Sequence, residues 1–154
     1  MDKEYYKDLS TKAADGDAKA FSKLYEMIYR EMYYIAFYTL ADDKDAVEAV
    51  IGAARDGFNA IGRLHTEEAF EVFMMKTLCA RIKMRLKEYD DDLTLDSDQP
   101  ELKHKLFTLD GTDRLCAVLH IAGRLDAAVI AAYTGMMKGS VKKRLSNALP
   151  ALTI

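Results

Sequence analysis

The chain has 154 residues, half of them apolar, with two prolines and a formal net charge of −3. This length suits one mid-sized domain or two small ones. Helix formers such as Ala, Leu, Lys and Glu are frequent, and no Asn-Gly dipeptide separates two alternating runs as in a β-hairpin. No apolar run reaches the length of a membrane span, and the first residues lack the basic and apolar regions of a signal peptide. We therefore expect an all-α protein in the cytoplasm, without a membrane segment.

The residue types that usually carry catalysis or bind metals are scattered along the chain. Cys79 and Cys116 occur without a neighbouring cysteine or histidine pair, and His65, His104 and His120 lie far apart. No Ser-His-Asp or Cys-His order and no glycine-rich phosphate loop accompanies them. We therefore expect reduced structural thiols and no metal, cofactor or enzymatic activity.

Two amphipathic helices are predicted in the N-terminal part of the chain. The first is long, and Asp42 and Asp43 break its pattern and supply acids for the N-terminus of the second, which Gly62 follows. The apolar stripe of the long helix consists of Phe21, Leu24, Ile28, Met32, Ile35 and Ala36, widened by Tyr25, Tyr29, Tyr33 and Phe37. The stripe of the second helix consists of Val47, Val50, Ile51, Ala54 and Phe58. Aromatic side chains at this spacing indicate core packing rather than a cofactor site.

A third helix is predicted from Thr66, which can cap it, to about Tyr89. Glu67 and Glu68 place acids in its first turn, as the helix dipole favours. Its apolar stripe has a strict four-residue spacing and consists of Phe70, Met74, Leu78, Ile82 and Leu86. Its C-terminal part carries cations and no acid from Lys76 through Lys87, with Arg81, Lys83 and Arg85 between them. Such a face suits contact with phosphates, but taken alone it is more typical of a solvated helix end.

An acidic segment separates two predicted domains. Residues 88–101 contain seven acids and no Lys or Arg, so the remainder of the chain has a positive net charge. Within it, residues 88–100 lack helical periodicity and end in Gln-Pro, as expected of a solvated linker. We predict a helical domain over residues 1–88, an acidic linker over residues 89–100 and a second domain over residues 101–154.

The second domain is predicted to contain short helices that end in a tight turn. One or two helices are marked by Leu102, Leu106, Leu115, Val118, Leu119 and Ala122. Asp126 can then cap a helix from Ala127 to about Thr134, and Gly135 suits its C-terminal stop. A last helix begins at Ser140 or Lys138 and ends at Pro150. Its inward-facing residues are Val141, Leu145, Ala148 and Leu149.

The spacing around this turn is that of a helix-turn-helix. Small Ala131 lies four residues before Gly135, where two helices must approach closely, and Val141 lies six residues after it. No acid follows Asp126 in the chain. The residues predicted to face outward and to bind DNA are Lys138, Ser140, Lys142, Lys143 and Arg144. This pattern is typical of a helix that enters the major groove of duplex DNA.

Residues 135–149, Gly-Met-Met-Lys-Gly-Ser-Val-Lys-Lys-Arg-Leu-Ser-Asn-Ala-Leu, resemble the promoter-reading helix of extracytoplasmic-function sigma factors. That family has Gly, three residues, Gly-Thr/Ser-Val-Lys, one residue, Arg-Leu, two residues and Ala. Asp113-Arg114 and Ile130-Ala131 also fall where the family has an Arg and an Ile-Ala pair. Nearer the N-terminus, residues 16–25 resemble its opening Gly-Asp-x-x-Ala-Phe-x-x-Leu-Tyr, and Asp45-Ala46 resembles the start of its Asp-Ala-Glu-Asp motif. The resemblance covers nearly the whole chain.

This resemblance implies a function without enzymatic chemistry of its own. In the family, the first domain docks on the RNA polymerase clamp and opens the upstream promoter element, and the second domain holds the distal element as duplex. The implied partners are core RNA polymerase and promoter DNA. An inhibitory anti-sigma protein is a further possible partner. The residues implied to bind polymerase are Asp45, Glu48, Ile51 and Gly52. Arg81, Lys83 and Arg85 are implied to join the last helix in binding DNA.

Several positions depart from the family pattern. Ile51-Gly52 stands where the family has Gln-Glu, and Phe73 replaces its Trp. Ala80 and Met84 stand for the Asn and Asp used near the melted strand, and the acidic pair before the turn becomes Ala128-Val129. The polymerase-binding and melting motifs are therefore degenerate. The alternatives are a sigma-like DNA-binding regulator and a helical protein-interaction module, neither of which initiates transcription by itself.

Overall fold

The computed structural model describes residues 1–91 and 110–152. Within these ranges the chain forms helices and no strand, so the all-α prediction is confirmed. No helix in the described ranges is long and apolar enough to cross a membrane. Leu102, Leu106 and most of the predicted linker, residues 92–100, lie outside the described residues.

The N-terminal half, residues 1–91, contains five α-helices and a single 3-10 turn, Ile61–Arg63, between the last two of them. These helices are α1 (Lys3–Ala14), α2 (Ala18–Glu26), α3 (Tyr29–Leu40), α4 (Asp43–Ala60) and α5 (Glu67–Asp91). The C-terminal half, residues 110–152, contains α6 (Gly111–Ile121), α7 (Ala127–Thr134) and α8 (Lys138–Leu152).

Helix α1 was not predicted, although its sequence carries a helical stripe. Tyr6, Leu9 and Ala13 are buried at three- and four-residue spacing, and Asp2 caps the helix by accepting a hydrogen bond from the Glu4 amide. The Tyr6 hydroxyl donates to the Leu64 carbonyl oxygen at 2.7 Å, which ties α1 to the turn before α5. The hydrogen bond satisfies the hydroxyl group of this side chain, whose ring is buried among apolar residues.

The predicted long helix is in fact two helices. Helix α2 ends at Glu26, and the backbone at Ile28 departs from helical geometry with φ of −123° before α3 begins. Because neither Gly nor Pro stands at this break, the cause is tertiary packing. Helix α2 packs on α1, whereas α3 packs on α4, α5 and α6. The break lets both helices bury the same stripe, including Phe21 and Met32.

Helix α4 buries a different face from the predicted one. Val47 and Ile51 were predicted to be inside but are exposed, with 37% and 49% of their surface accessible. The buried face consists mainly of small residues, namely Ala46, Ala49, Val50, Gly52, Ala53, Gly57 and Ala60. Small side chains allow α4 to approach its neighbours closely: a Cβ placed on Gly57 would lie 2.4 Å from the Met74 sulfur. Asp42 does cap α4, as predicted, by accepting from the Asp45 amide.

The prediction for α5 is confirmed in its start and its stripe. The Thr66 hydroxyl accepts a hydrogen bond from the Ala69 amide at 3.0 Å. The predicted stripe is buried throughout, at Phe70, Met74, Leu78, Ile82 and Leu86. The helix continues two residues past Tyr89 to Asp91, into the segment predicted as linker.

The two last helices agree with the sequence pattern except at their end. The Asp126 carboxylate accepts from the Val129 amide at 2.9 Å, and Gly135 ends α7 in the left-handed region with φ of +75°. Helix α8 begins at Lys138 and buries Val141, Leu145 and Ala148. The predicted end was Pro150, but the helix continues through this residue to Leu152. Because Pro150 lies in the last turn, it removes only one intrahelical bond.

The two halves share one hydrophobic core. Helix α6 packs on α3 and α5, and α7 packs on α5. Buried residues of α6, among them Leu115 and Leu119, belong to the same apolar cluster as Leu78 and Ile82 of α5. This packing fixes the position of α7 and α8 relative to the N-terminal half.

Candidate nucleic-acid interface

Helix α8 presents a basic surface to solvent. Lys138, Ser140, Lys142 and Lys143 are exposed, whereas Val141 on the opposite side is fully buried. No ion pair joins these three lysines to any acid in the described part of the chain. The N-terminus of the helix adds a partial positive charge beside them. We call these four residues the α8 basic surface.

Arg144 is predicted to bind DNA, but it is held by two acids of the same half. Its Nη1 donates to Asp113 at 2.8 Å and to Asp110 at 3.0 Å. The bond to Asp113 raises the pKa of the Arg144 guanidinium. These bonds link α8 to the start of α6. Arg144 therefore orients the helix that carries the basic surface, and its charge is compensated within the protein.

Arg81 of α5 lies flat against α4. Its Nη2 and Nε donate to one Asp56 oxygen at 2.8 Å and 3.2 Å. The guanidinium occupies the space above Gly52, where a Cβ would lie only 2.4 Å from Nη1. Gly52, predicted to bind polymerase, thus makes room for Arg81.

Arg85 forms a second cluster with acids and a tyrosine. Its Nη2 donates to Asp45 at 2.9 Å, its Nη1 donates to Glu88, and the Tyr89 hydroxyl donates to the same Asp45 carboxylate. These bonds to Asp45 and Glu88 raise the pKa of Arg85, and burial together with the bond to Asp45 raises that of Tyr89. Asp45, predicted to bind polymerase, is itself buried in this cluster. The cluster joins the N-terminus of α4 to the end of α5.

Lys83 contacts the C-terminal half. Its Nζ donates to the backbone carbonyl oxygen of Thr134, the last residue of α7, at 3.1 Å. Each of the three α5 cations predicted to bind DNA therefore has a partner within the protein. Apart from Arg85 with Glu88, three residues away, these pairs join residues 25 to 51 positions apart, a distance at which sequence spacing gives no signal.

The remaining residues predicted to bind polymerase lie on an open surface. Glu48 and Ile51 are exposed on the outer side of α4, next to exposed Val47. Met84 of α5 has 67% of its surface accessible and faces a shallow groove that Glu48 also lines. Of the four α4 residues predicted to bind polymerase, Glu48 and Ile51 are therefore exposed, whereas Asp45 and Gly52 are buried.

A wider groove of about 500 Å³ runs between the end of α4 and the first half of α5. It is lined by Asp56, Asn59, Ala60, Gly62, Arg63, Phe73 and Thr77. The Arg63 guanidinium lies over the Phe73 ring at 5.5 Å from its centroid, a cation–π contact. Sequence reasoning did not single out Arg63, since no motif surrounds it.

Both cysteines lie in the apolar core. Cys79 and Cys116 are free and buried, and burial raises their thiol pKa values to about 12 and about 11. The described residues contain no group of three or more side chains placed to hold a metal ion. His120, in the last turn of α6, donates from Nδ1 to the carbonyl oxygen of Leu125 in the loop before α7, at 2.9 Å.

Comparison with known proteins gives a likeness in structure alone. No protein-family model matches the sequence, and no curated protein is similar to it in sequence. Among solved structures, the chain is similar to CnrH in the structure of CnrH in complex with the cytosolic domain of CnrY. The match has a TM-score of 0.70 at 17% identity and covers 96% of this chain and 94% of that chain. The fold is that of an extracytoplasmic-function sigma factor. The sigma-factor fold extends over nearly the whole chain, so both halves belong to it.

Proposed function

We propose that this protein is a transcription initiation factor of the sigma type, which binds core RNA polymerase and directs it to promoters. It acts in the cytoplasm, as two domains joined by the acidic segment, and polymerase supplies the chemistry. The second domain reads duplex DNA through a helix-turn-helix formed by α7 and α8.

The α8 basic surface supports this function most directly. Lys138, Lys142 and Lys143 are exposed and form no ion pair within the described residues, on a helix whose other face is anchored in the core by Val141. Phosphate contacts of this kind supply most of the affinity of a protein for DNA. Arg144 contributes by holding α8 against Asp110 and Asp113 rather than by a phosphate contact of its own.

The outer side of α4 is the proposed contact with polymerase. Val47 and Ile51 are apolar and exposed there, beside Glu48, as expected of a surface that a partner covers. CnrH was solved with the cytosolic domain of CnrY bound. By analogy we propose that an anti-sigma protein also binds this chain.

A second candidate is a sigma-like regulator that binds DNA but does not initiate transcription. Exposed Ala80 and Met84 on α5 favour it, because an alanine and a methionine offer no polar group to a melted strand. The internal pairing of Arg81 and Arg85 points the same way, since charges already compensated have less affinity for phosphate.

The experiment combines co-purification with core RNA polymerase and titration of a labelled duplex at several salt concentrations. A sigma factor binds both, a regulator binds the duplex alone, and a protein-interaction module binds neither. In the duplex arm, the double variant Lys142→Ala/Lys143→Ala should bind more weakly and reduce the salt slope by about two, because two phosphate contacts are lost. The matched control Lys19→Ala/Lys23→Ala removes two exposed lysines at a four-residue spacing from α2 and should leave the slope unchanged. Equal slopes for the two variants would overturn the assignment of α8.

A further inference from the structure

A groove of about 520 Å³ lies along α3, beside the residue that ends α6. We call it the α3 groove, and its lining is Met27, Arg30, Glu31, Tyr34, Tyr38 and Ala122. Three of its side chains, Met27, Tyr34 and Tyr38, are large and have 47%, 46% and 40% of their surface accessible. The two tyrosine rings stack with centroids 6.3 Å apart and form one aromatic face. Exposed apolar side chains gathered in one groove indicate a surface that a partner covers.

The composition of the α3 groove favours a protein partner. Tyr, Met and Arg are enriched at the centres of protein–protein interfaces, and Tyr and Arg are frequent among the residues that dominate binding energy. The groove carries one cation and one acid, so its charge does not favour nucleic acid, which selects an excess of cations. It shares no residue with the α8 basic surface or with the outer side of α4. We therefore expect another protein surface to occupy it.

Two unpaired charges specify what this partner must bring. Arg30 and Glu31 are adjacent, and neither forms an ion pair within the described part of the chain. They do not pair with each other, because adjacent side chains of a helix do not face one another. Burial raises the pKa of the Glu31 carboxyl group, and no cation lowers it. A suitable partner presents an acid to Arg30 and a cation to Glu31.

A second copy of this chain meets both requirements. In a pair with two-fold symmetry, the same patch of both chains forms the contact, and each interaction occurs twice. If two α3 helices lie antiparallel with the axis between positions 30 and 31, Arg30 faces the partner's Glu31 and Glu31 faces the partner's Arg30. The same register brings Met27 opposite the partner's Tyr34, because each lies three positions from the charged pair. A methionine sulfur and an aromatic ring attract each other, so this contact adds to the ion pairs.

We propose that the α3 groove joins two copies of this protein in an antiparallel, two-fold symmetric dimer, held by reciprocal Arg30–Glu31 ion pairs and the apolar side chains around them. Because the groove is small and its ion pairs lie near solvent, the dimer is weak and forms reversibly with concentration. It uses residues other than those proposed to bind DNA and polymerase. The dimer therefore forms whether or not the chain has either activity.

Sedimentation equilibrium of the full chain tests the dimer. Between about 1 μM and about 1 mM, the average mass of the wild-type protein should rise from that of one chain toward that of two. Arg30→Glu places acids opposite acids and should raise the dissociation constant by about tenfold or more. Glu31→Arg should do the same, because it places cations opposite cations. The matched control Arg55→Glu changes an exposed arginine of α4 outside the groove and should leave the dissociation constant unchanged.

Exchanging the charges distinguishes a second copy from any other occupant of the groove. The double variant Arg30→Glu/Glu31→Arg again has opposite charges across the axis and should regain the wild-type dissociation constant. An equimolar mixture of Arg30→Glu and Glu31→Arg should form dimers at concentrations where each variant alone is monomeric. The reason is that the two acids of one chain then face the two cations of the other. Circular dichroism must show full helix content in each variant.

Tyr34→Ser provides a variant that leaves every charge in place, and it replaces any charge reversal that does not fold. It should raise the dissociation constant because the partner's Met27 loses an aromatic contact. A wild-type protein that stays monomeric over the whole range would overturn the proposal and leave the groove to a different protein. A dimer unaffected by Arg30→Glu or by Tyr34→Ser would overturn the assignment of the α3 groove. A mixture that stays monomeric would overturn the reciprocal pairing.

Discussion

Two glycines on α4 should respond oppositely to alanine. Gly52 and Gly57 lie five residues apart in one helix, and a Cβ at either would approach a neighbouring side chain to 2.4 Å. At Gly52 that neighbour is the guanidinium of Arg81, and at Gly57 it is the sulfur of Met74. Alanine in place of glycine in a helix interior contributes about 1 kcal/mol of stability by itself. Whether each substitution raises or lowers the free energy of unfolding therefore depends on how much the displaced neighbour loses in its own interactions.

At Gly52 the loss is small. The Arg81 guanidinium is the end of a flexible chain, and both it and Asp56 are more than one-third accessible. A surface ion pair of this kind contributes about 0–1 kcal/mol. We expect Gly52→Ala to leave the free energy of unfolding unchanged or to raise it by up to about 1 kcal/mol.

At Gly57 the loss is larger because Met74 is fully buried. Adding a methyl group to a packed core costs about 1–3 kcal/mol. After the helix gain of about 1 kcal/mol is subtracted, Gly57→Ala should lower the free energy of unfolding by about 0–2 kcal/mol. The Phe21 ring, 3.5 Å from the same point, limits how far Met74 can move.

The assay is urea unfolding followed by circular dichroism for both variants. A control repeats Gly52→Ala in an Arg81→Ala background, where no ion pair remains and the full gain of about 1 kcal/mol should appear. If Gly52→Ala destabilises as much as Gly57→Ala, the Arg81 guanidinium is not displaceable and the reasoning is refuted.

Three further predictions concern single side chains. The Thr39 hydroxyl is buried without a hydrogen-bond partner among the described residues, so Thr39→Val should stabilise by about 1 kcal/mol in urea unfolding, and a loss of stability would contradict this. Arg124 has φ of +55°, a left-handed conformation that costs about 1–2 kcal/mol outside glycine. Arg124→Gly should therefore raise the midpoint of thermal unfolding, and a lowered midpoint would count against strain there. Because burial raises the pKa of Cys79 to about 12 and that of Cys116 to about 11, both thiols are protonated at pH 8 and should react with a disulfide reagent only after unfolding. Rapid labelling of the native protein would show that the thiols are accessible.

Local signals predicted much of the fold. The caps at Thr66 and Asp126 and the stop at Gly135 are where the sequence indicates, because each depends on residues within a few positions. The strict stripe of α5 is buried as predicted for the same reason. Pro150 was misjudged because a proline near the end of a helix disturbs little.

Tertiary packing explains the errors. The break at Ile28 has no local cause, and the buried face of α4 consists of alanine and glycine, which a search for large apolar residues overlooks. That search selected Val47 and Ile51, which lie on the outer side. The predicted buried face of α4 was therefore displaced by about one residue along the helix from the observed one.

The candidate site was predictable at the level of exposed charge but not of pairing. Lys142 and Lys143 are exposed as expected. Arg81 and Arg144 also carry charges on basic stretches, yet acids from other helices bind them. The sequence shows which residues are cations, but it does not show the distances between side chains of different helices. Those distances decide which cations form ion pairs within the protein.

Run-off transcription tests the central claim most directly. Core RNA polymerase from the same organism is incubated with this protein and a library of genomic fragments, and the transcript starts are mapped. The sigma assignment predicts start sites that appear only with the protein, persist with Lys19→Ala/Lys23→Ala and are lost or weakened with Lys142→Ala/Lys143→Ala. Transcript starts that do not depend on the protein would contradict it.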